Sequence, residues 1–171
     1  MKRTLAMILL CLCAALLWTG CKNSGGEEEK TMIANPWSQW DSMAEAEAAV
    51  GFSFGMPENI DGRYFASVFR TMNGELMEVI YRDGDSEVRV RKQKGEGQDI
   101  SGDYNTYDIC TEEHVAGGTV TIYQNSGSNG VKQVISCDGF SWSITAPEGF
   151  AGDDNQDFVS SILIGIKISG L

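Results

Sequence analysis

Residues 75–92 read ELMEVIYRDGDSEVRVRK, from Glu75 to Lys92. Apolar and charged side chains alternate on both sides of Asp83-Gly84, and that dipeptide suits the tight turn of a hairpin. The pattern predicts strands at Glu75–Arg82 and Glu87–Lys92. Working back toward the N-terminus, Asn73-Gly74 is a second turn dipeptide, preceded by a strand pattern over Tyr64–Thr71. With two-residue turns at both places, Val68 falls opposite Val79, Val79 opposite Val88 and Met77 opposite Val90. Tyr64, Ala66 and Tyr81 share their face, while Glu78 falls opposite Arg89 on the other, a favourable cross-strand pair. That other face also carries Phe65, Phe69, Leu76 and Ile80, a patch that solvent does not normally meet. A helix of this chain, a partner, or an apolar ligand would cover it, and the last would make these four residues a binding face.

Working forward, Gln93–Gly102 is a polar, glycine-rich connection. A second β region follows at about 104–114, 119–124, 131–137 and 140–145, with a loop over Asn125–Gly130. Asp138-Gly139 is a third hairpin turn, which sets Ile135 opposite Trp142 and Cys137 opposite Phe140. Two helices flank the strands. Ser42 with Glu45 forms a capping box, Met43, Ala46, Ala49 and Val50 make a stripe, and Gly51 is the stop. Trp37 and Trp40 precede this helix as core anchors. Near the C-terminus, Asp153 or Asp154 caps a helix whose stripe is Phe158, Val159, Ile162, Leu163 and Ile166. The expected fold is α+β: a curved antiparallel sheet built from hairpins, with an N-terminal and a C-terminal helix packed on it.

The N-terminus carries an address. Lys2 and Arg3 precede an uncharged apolar run from Leu5 to Trp18, and Thr19-Gly20 leads into Cys21. A short run with a basic start and a small-residue end is a secretory signal rather than a spanning helix. The pattern resembles a bacterial lipoprotein signal, with residues 1–20 removed and Cys21 carrying a diacylglycerol. An ordinary signal peptide would instead leave Cys21 as a spare thiol. Residues 21–34, rich in Gly and Glu, read as a flexible tether, and residues 35–171 as one domain. Without Lys2 and Arg3, 11 basic and 24 acidic side chains remain, a charge of −13. Such a surface argues against nucleic acid and anionic lipid headgroups as direct partners.

With two of the five cysteines in the signal and one at its end, Cys110 and Cys137 are left for the domain. In an exported protein they read as a disulfide, whose loop closure would stabilise by about 3–4 kcal/mol. Two buried free thiols are the other reading.

Constellations for chemistry are few. The single His114 lies beside Glu112 and Glu113, but two ligands are too few for structural zinc, and a solvated strand end explains them. Asp83, Asp85 and Glu87 alternate in a turn as calcium ligands can, yet the twelve-residue calcium loop is missing. Gly95-Glu96-Gly97 lacks the Lys and hydroxyl of a phosphate loop. No catalytic residue and no cofactor or metal is expected.

Four segments carry a resemblance: Asn35-Pro36-Trp37, EAEAAVGFSFGMPENI (Glu45–Ile60), MEVIYRDGDSEVRVRK (Met77–Lys92) and DISGDYNTY (Asp99–Tyr107), with Ser136-Cys-Asp-Gly-Phe-Ser-Trp142 after them. They resemble exported domains of Firmicutes, domain-of-unknown-function family 4367, found in lipoproteins and in the extracytoplasmic tails of anti-sigma factors. The resemblance runs from Asn35 to Ile166, implies no catalytic residue, and does not account for Cys110 and Cys137. The expectation is a lipoprotein on the outer face of a Gram-positive cell membrane, anchored through Cys21. It would bind an envelope protein or component without catalysis. A carrier of an apolar, lipid-like ligand is the alternative, and a hydrolase the third reading.

Overall fold

The computed structural model describes residues 35–60, 62–115 and 118–149. The signal segment, Cys21, the tether and the helix expected after Asp153 lie outside the described residues. The elements in chain order are β1 (Trp37–Trp40), α1 (Met43–Val50), β2 (Asn59–Ile60), β3 (Tyr64–Met72), β4 (Leu76–Asp83), β5 (Ser86–Lys94), β6 (Ile109–Val115), β7 (Gly118–Gln124), β8 (Val131–Cys137) and β9 (Phe140–Ala146). The nine strands form one antiparallel sheet in the order β1-β3-β4-β5-β9-β8-β7-β6, with β2 paired to β3. Two meanders, β3–β5 and β6–β9, are thus joined where β5 pairs with β9.

This corrects the α+β expectation. Among the described residues the fold is nearly all-β, with α1 the one helix, eight residues long. Trp37 and Trp40, read as anchors ahead of a helix, are themselves in a strand that extends the sheet. Helix α1 follows its capping signals. Ser42 Oγ accepts from Glu45 N–H at 3.3 Å, and Gly51, at φ 70°, donates to Glu47 O and ends the helix.

Register explains which side chains share a face. In the first hairpin the ladder starts at Met72↔Leu76, so Glu75 is an extra residue beyond the Asn73-Gly74 turn. Ser67 is an extra residue on β3 between Ala66 and Val68, and it cancels the shift. Between these irregularities Phe69 pairs with Val79 and Val68 with Ile80, which moves Val68 off the face where alternation alone places it. In the second hairpin the turn is Gly84-Asp85, with Gly84 at φ 58°. Val79 therefore pairs with Val90, Tyr81 with Val88, and Glu78 with Arg91 rather than Arg89. A slip of two residues preserves the face of every side chain, so the acid still meets an arginine. The third hairpin has the expected pairs, Ile135↔Trp142 and Cys137↔Phe140.

The core lies on the face toward α1. Met77, Val79 and Tyr81 of β4, Val88 and Val90 of β5, and Trp142 and Ile144 of β9 are buried there. Met43, Ala46 and Val50 of α1 join the same cluster, with Phe54, Met56 and Ile60 from the segment after it. Each large side chain buried in this way contributes about 1.5–3 kcal/mol. Tyr81 Oη donates to Pro57 O at 2.9 Å and Lys92 Nζ to Ser53 O at 2.6 Å, which ties that segment down.

The far face is closed differently. Its middle holds Ser141, Ser143 and Thr145 of β9, all buried. Small hydroxyl side chains let another stretch of backbone lie close and satisfy its polar groups. The connection from β5 to β6 does so: Gln98 N–H donates to Ser141 Oγ, Gly97 N–H to Ser136 Oγ, and Ser141 Oγ to Gly95 O.

Candidate functional site

The β5–β6 connection forms one wall of a groove on the far face. The groove has a volume of about 430 Å³ and is lined by Arg89, Arg91, Asp103, Tyr107, Asn125 and Thr145 among others. That size is in the range of small-ligand sites, and the lining is mostly polar, with hydroxyls, amides, two guanidiniums and the Asp103 carboxylate beside the hydrocarbon of Val131 and Pro147.

Strand alternation sets the floor. Arg89 and Arg91 are two apart on β5 and so point the same way, opposite Thr145 and Ser143 of β9. Each guanidinium is held from behind by a carboxylate. Arg91 Nε donates to Glu78 Oε2 at 2.6 Å, and Arg89 Nε to Glu87 Oε1 at 2.6 Å. Glu78 is fully buried and also accepts from Arg70 Nε. The Trp37 ring stacks on both its partners, 4.4 Å from Arg70 and 5.2 Å from Arg91. Burial pushes the Glu87 carboxyl up, but the hydrogen bonds and charges of Arg89 and Arg82 outweigh it and hold Glu87 below the ordinary carboxylate range.

The wall is built by side chains that cap their own backbone. Asp99 accepts from Ser101 N–H, Ser101 Oγ from Asp103 N–H, and Asp103 from Asn105 N–H. Asp103 also accepts from Tyr107 Oη. Arg91 Nη1 donates to Ile100 O at 2.9 Å, and the adjacent Gly102, at φ 63°, has no room for a side chain against that guanidinium. Lys132 fixes the other end: only 7% exposed, its Nζ donates to Asp99 Oδ2 at 3.0 Å and lies 4.4 Å from the Tyr123 ring centre. Burial raises Asp99 and Asp103, but hydrogen bonds from Ser101 to the first and from Tyr107 and Asn105 to the second, with the Lys132 charge, lower both overall. Tyr107 is pushed up to about 12 by burial and by its bond to Asp103.

The residues singled out in the sequence fall elsewhere. Leu76 and Ile80 are buried on the far face, Phe65 is on that face but 54% exposed, and Phe69 is on the core face. These four do not share a surface, because the Ser67 bulge separates Phe65 from Phe69. Cys110 and Cys137 are free thiols. Cys110 pairs with Tyr123, whose partner on β8 is Lys132, and Cys137 is five residues further along β8 and on the opposite face. The offset along the strand alone is about 17 Å, beyond the reach of a disulfide. The expected bridge is therefore corrected. Burial raises the Cys137 thiol, with Asp138 adding to it.

His114 Nε2 is 3.9 Å from Glu112 Oε1, and its side chain is 80% exposed. Asp83 pairs with Arg63, and Glu87 with Arg82 and Arg89, so two of the three acids of that turn are taken up by arginines. Among the described residues no three His, Cys, Asp or Glu side chains group as metal ligands, and no helix is long and apolar enough to cross a membrane. The groove itself was missed by sequence reasoning. Its one local signal is the series Asp99-x-Ser101-x-Asp103-x-Asn105, side chains spaced to cap each other's backbone.

Set against family models, curated proteins and solved structures, the chain matches none of them.

Proposed function

We propose that the protein is a lipid-anchored, extracytoplasmic binding protein without catalytic activity, and that its ligand is a hydrophilic envelope component received in the far-face groove. The outward address and the anchor at Cys21 rest on the sequence of residues 1–21. The observation that carries the binding role is the groove of about 430 Å³ whose polar lining is held rigid by internal bonds. Preorganised donors and acceptors cost little to order when a ligand arrives. A polyhydroxylated molecule fits this inventory, since hydroxyls both donate and accept. An apolar cargo loses its support, because Phe65, Phe69, Leu76 and Ile80 do not line a common cavity.

The test is saturation-transfer NMR on the full chain in a sugar-free zwitterionic detergent, mixed with a digest of Gram-positive envelope polysaccharides. Saturation of sugar protons is expected, and Ser128→Trp, on the exposed groove rim, should abolish it. Saturation of acyl chains alone, or sugar signals indifferent to S128W, would contradict the proposal. Labelling with an alkyne fatty acid should mark the chain, and Cys21→Ala should remove the mark.

A further inference from the structure

Resting on the groove reading above, we propose that the ligand presents an oxyanion, a carboxylate or a phosphate, to Arg89 and Arg91. A guanidinium carries five N–H donors in a fixed plane. Arg89 uses Nε on Glu87, which leaves its two terminal nitrogens for the groove. Arg91 uses Nε on Glu78 and Nη1 on Ile100 O, which leaves Nη2. Arg89 therefore keeps a two-nitrogen terminal edge and Arg91 one terminal nitrogen, with the plane of each guanidinium set by a carboxylate. An edge such as that of Arg89 binds carboxylate or phosphate oxygens in a pair of parallel bonds, to which Arg91 Nη2 adds a third donor.

The spacing supports a shared ligand group. Side chains two apart on a strand start about 6.6 Å from one another on one face, a gap that long arginine stems close. Gly102 presses its backbone against Arg91, which keeps that guanidinium from swinging away. The carboxylate on the opposing wall, Asp103, is turned to Tyr107 Oη and Asn105 N–H. Thr145, across the floor from Arg89, adds a hydroxyl beside the anion site.

The experiment titrates the full chain, in the same detergent, with D-glucose, D-glucuronate and D-glucose 6-phosphate, and follows affinity by ligand-observed NMR. The three share a ring and differ at one carbon. At least one acidic sugar should bind about tenfold more tightly than glucose or better, and the tighter of the two identifies carboxylate or phosphate as the group. The preference should fall with added salt and should drop to near parity in Arg89→Gln. Arg91→Lys, which keeps a charge for Glu78 but loses the free Nη2 donor, should weaken it too. Equal binding of all three sugars would overturn the oxyanion inference and leave the hydrophilic groove standing. Binding of none would overturn both. A preference for acid that survives in R89Q, at a side chain 43% exposed, would put the anion elsewhere and overturn the inference.

Discussion

Arg91 Nε meets Glu78 Oε2 at 2.6 Å at the floor of the groove, joining a fully buried carboxylate to the residue that lines the cavity. The pair couples the rigidity of the site to the interior of the sheet. Glu78 also holds Arg70, and Trp37 stacks on both arginines, so the start of the domain belongs to the same assembly.

Glu78→Gln leaves two arginines without their shared countercharge. Breaking a buried ion pair from one side costs about 3–5 kcal/mol. Urea unfolding should show a loss of that order, with a changed Trp37 emission in the native state. A loss under about 1 kcal/mol would mean that the arginines find other partners.

Gly102→Ala puts a Cβ into the Arg91 guanidinium at a backbone φ of 63°. Gly97→Ala is the control, since its φ of 77° is also left-handed but nothing lies within 4 Å of a new Cβ. Both changes should destabilise by about 1 kcal/mol or more through the backbone. Only G102A should also lower sugar affinity. Equal affinity in the two variants would mean that the close approach at Gly102 does not position Arg91.

Alkaline stability should show the buried Lys92. Burial lowers its pKa from 10.5 to about 8, against the opposing charges of Glu47 and Asp138. Between those values the unfolded chain holds a proton that the folded chain does not, so stability rises with pH above about 8. Tyr107 is raised to about 12 and Tyr81 is raised as well, so above the ordinary tyrosine value of 10.0 stability falls again. The raised Cys137 thiol likewise subtracts from stability above its ordinary value of 9.0, so thermal midpoints should climb from pH 8 and turn over between pH 9 and 10. Lys92→Met should lose the climb and keep the fall. A climb of the same size in K92M would assign it to another group.

Thiol reactivity separates the two cysteines. A soluble form from Lys22 onward contains only Cys110 and Cys137. Its mass should be that of the fully reduced chain even after exposure to oxidant at low protein concentration. An aromatic disulfide reagent should label exposed Cys110 quickly and Cys137 slowly, because its thiol is half-buried and its pKa raised. A mass lighter by two hydrogens would contradict the separation of the two residues across the sheet.

Local signals made some of this fold legible and left the rest hidden. The Asp138-Gly139 turn and the alternation of Phe140, Trp142 and Ile144 fix their hairpin, and its register is as the residues imply. Helix α1 was readable from Ser42, Glu45 and Gly51, whose caps act within a few residues. The extra Glu75 in the first turn and the Ser67 bulge carry no such mark, and between them they set Phe69 on the core face. The turn at Gly84-Asp85 shows how little separates two placements of one glycine, although the slip of two residues kept every face. The α+β expectation departs from the fold because Trp37 and Trp40, placed just before a helix, belong to a strand that extends the sheet, and because an apolar patch on the second face suggests a helical cover. Much of that face is instead closed by polar means: Glu78 between two arginines, and a connection seated on the serines of β9. The groove depends on that connection crossing strands far from it in sequence. Asp99, Ser101 and Asp103 advertise only that the segment is a rigid loop, and Arg89 and Arg91 read as ordinary polar positions of a strand.

The most direct test of the account is an amide chemical-shift map of the soluble form from Lys22 onward during titration with D-glucuronate. The account predicts shifts gathered at Arg89, Arg91, Gly102, Asn105, Asn125 and Thr145, with the amides of Ala46 and Val50 in α1, on the other side of the sheet, unmoved. Shifts gathered instead around Phe65, or no shifts at saturating sugar, would contradict the claim that the far-face groove is the binding site.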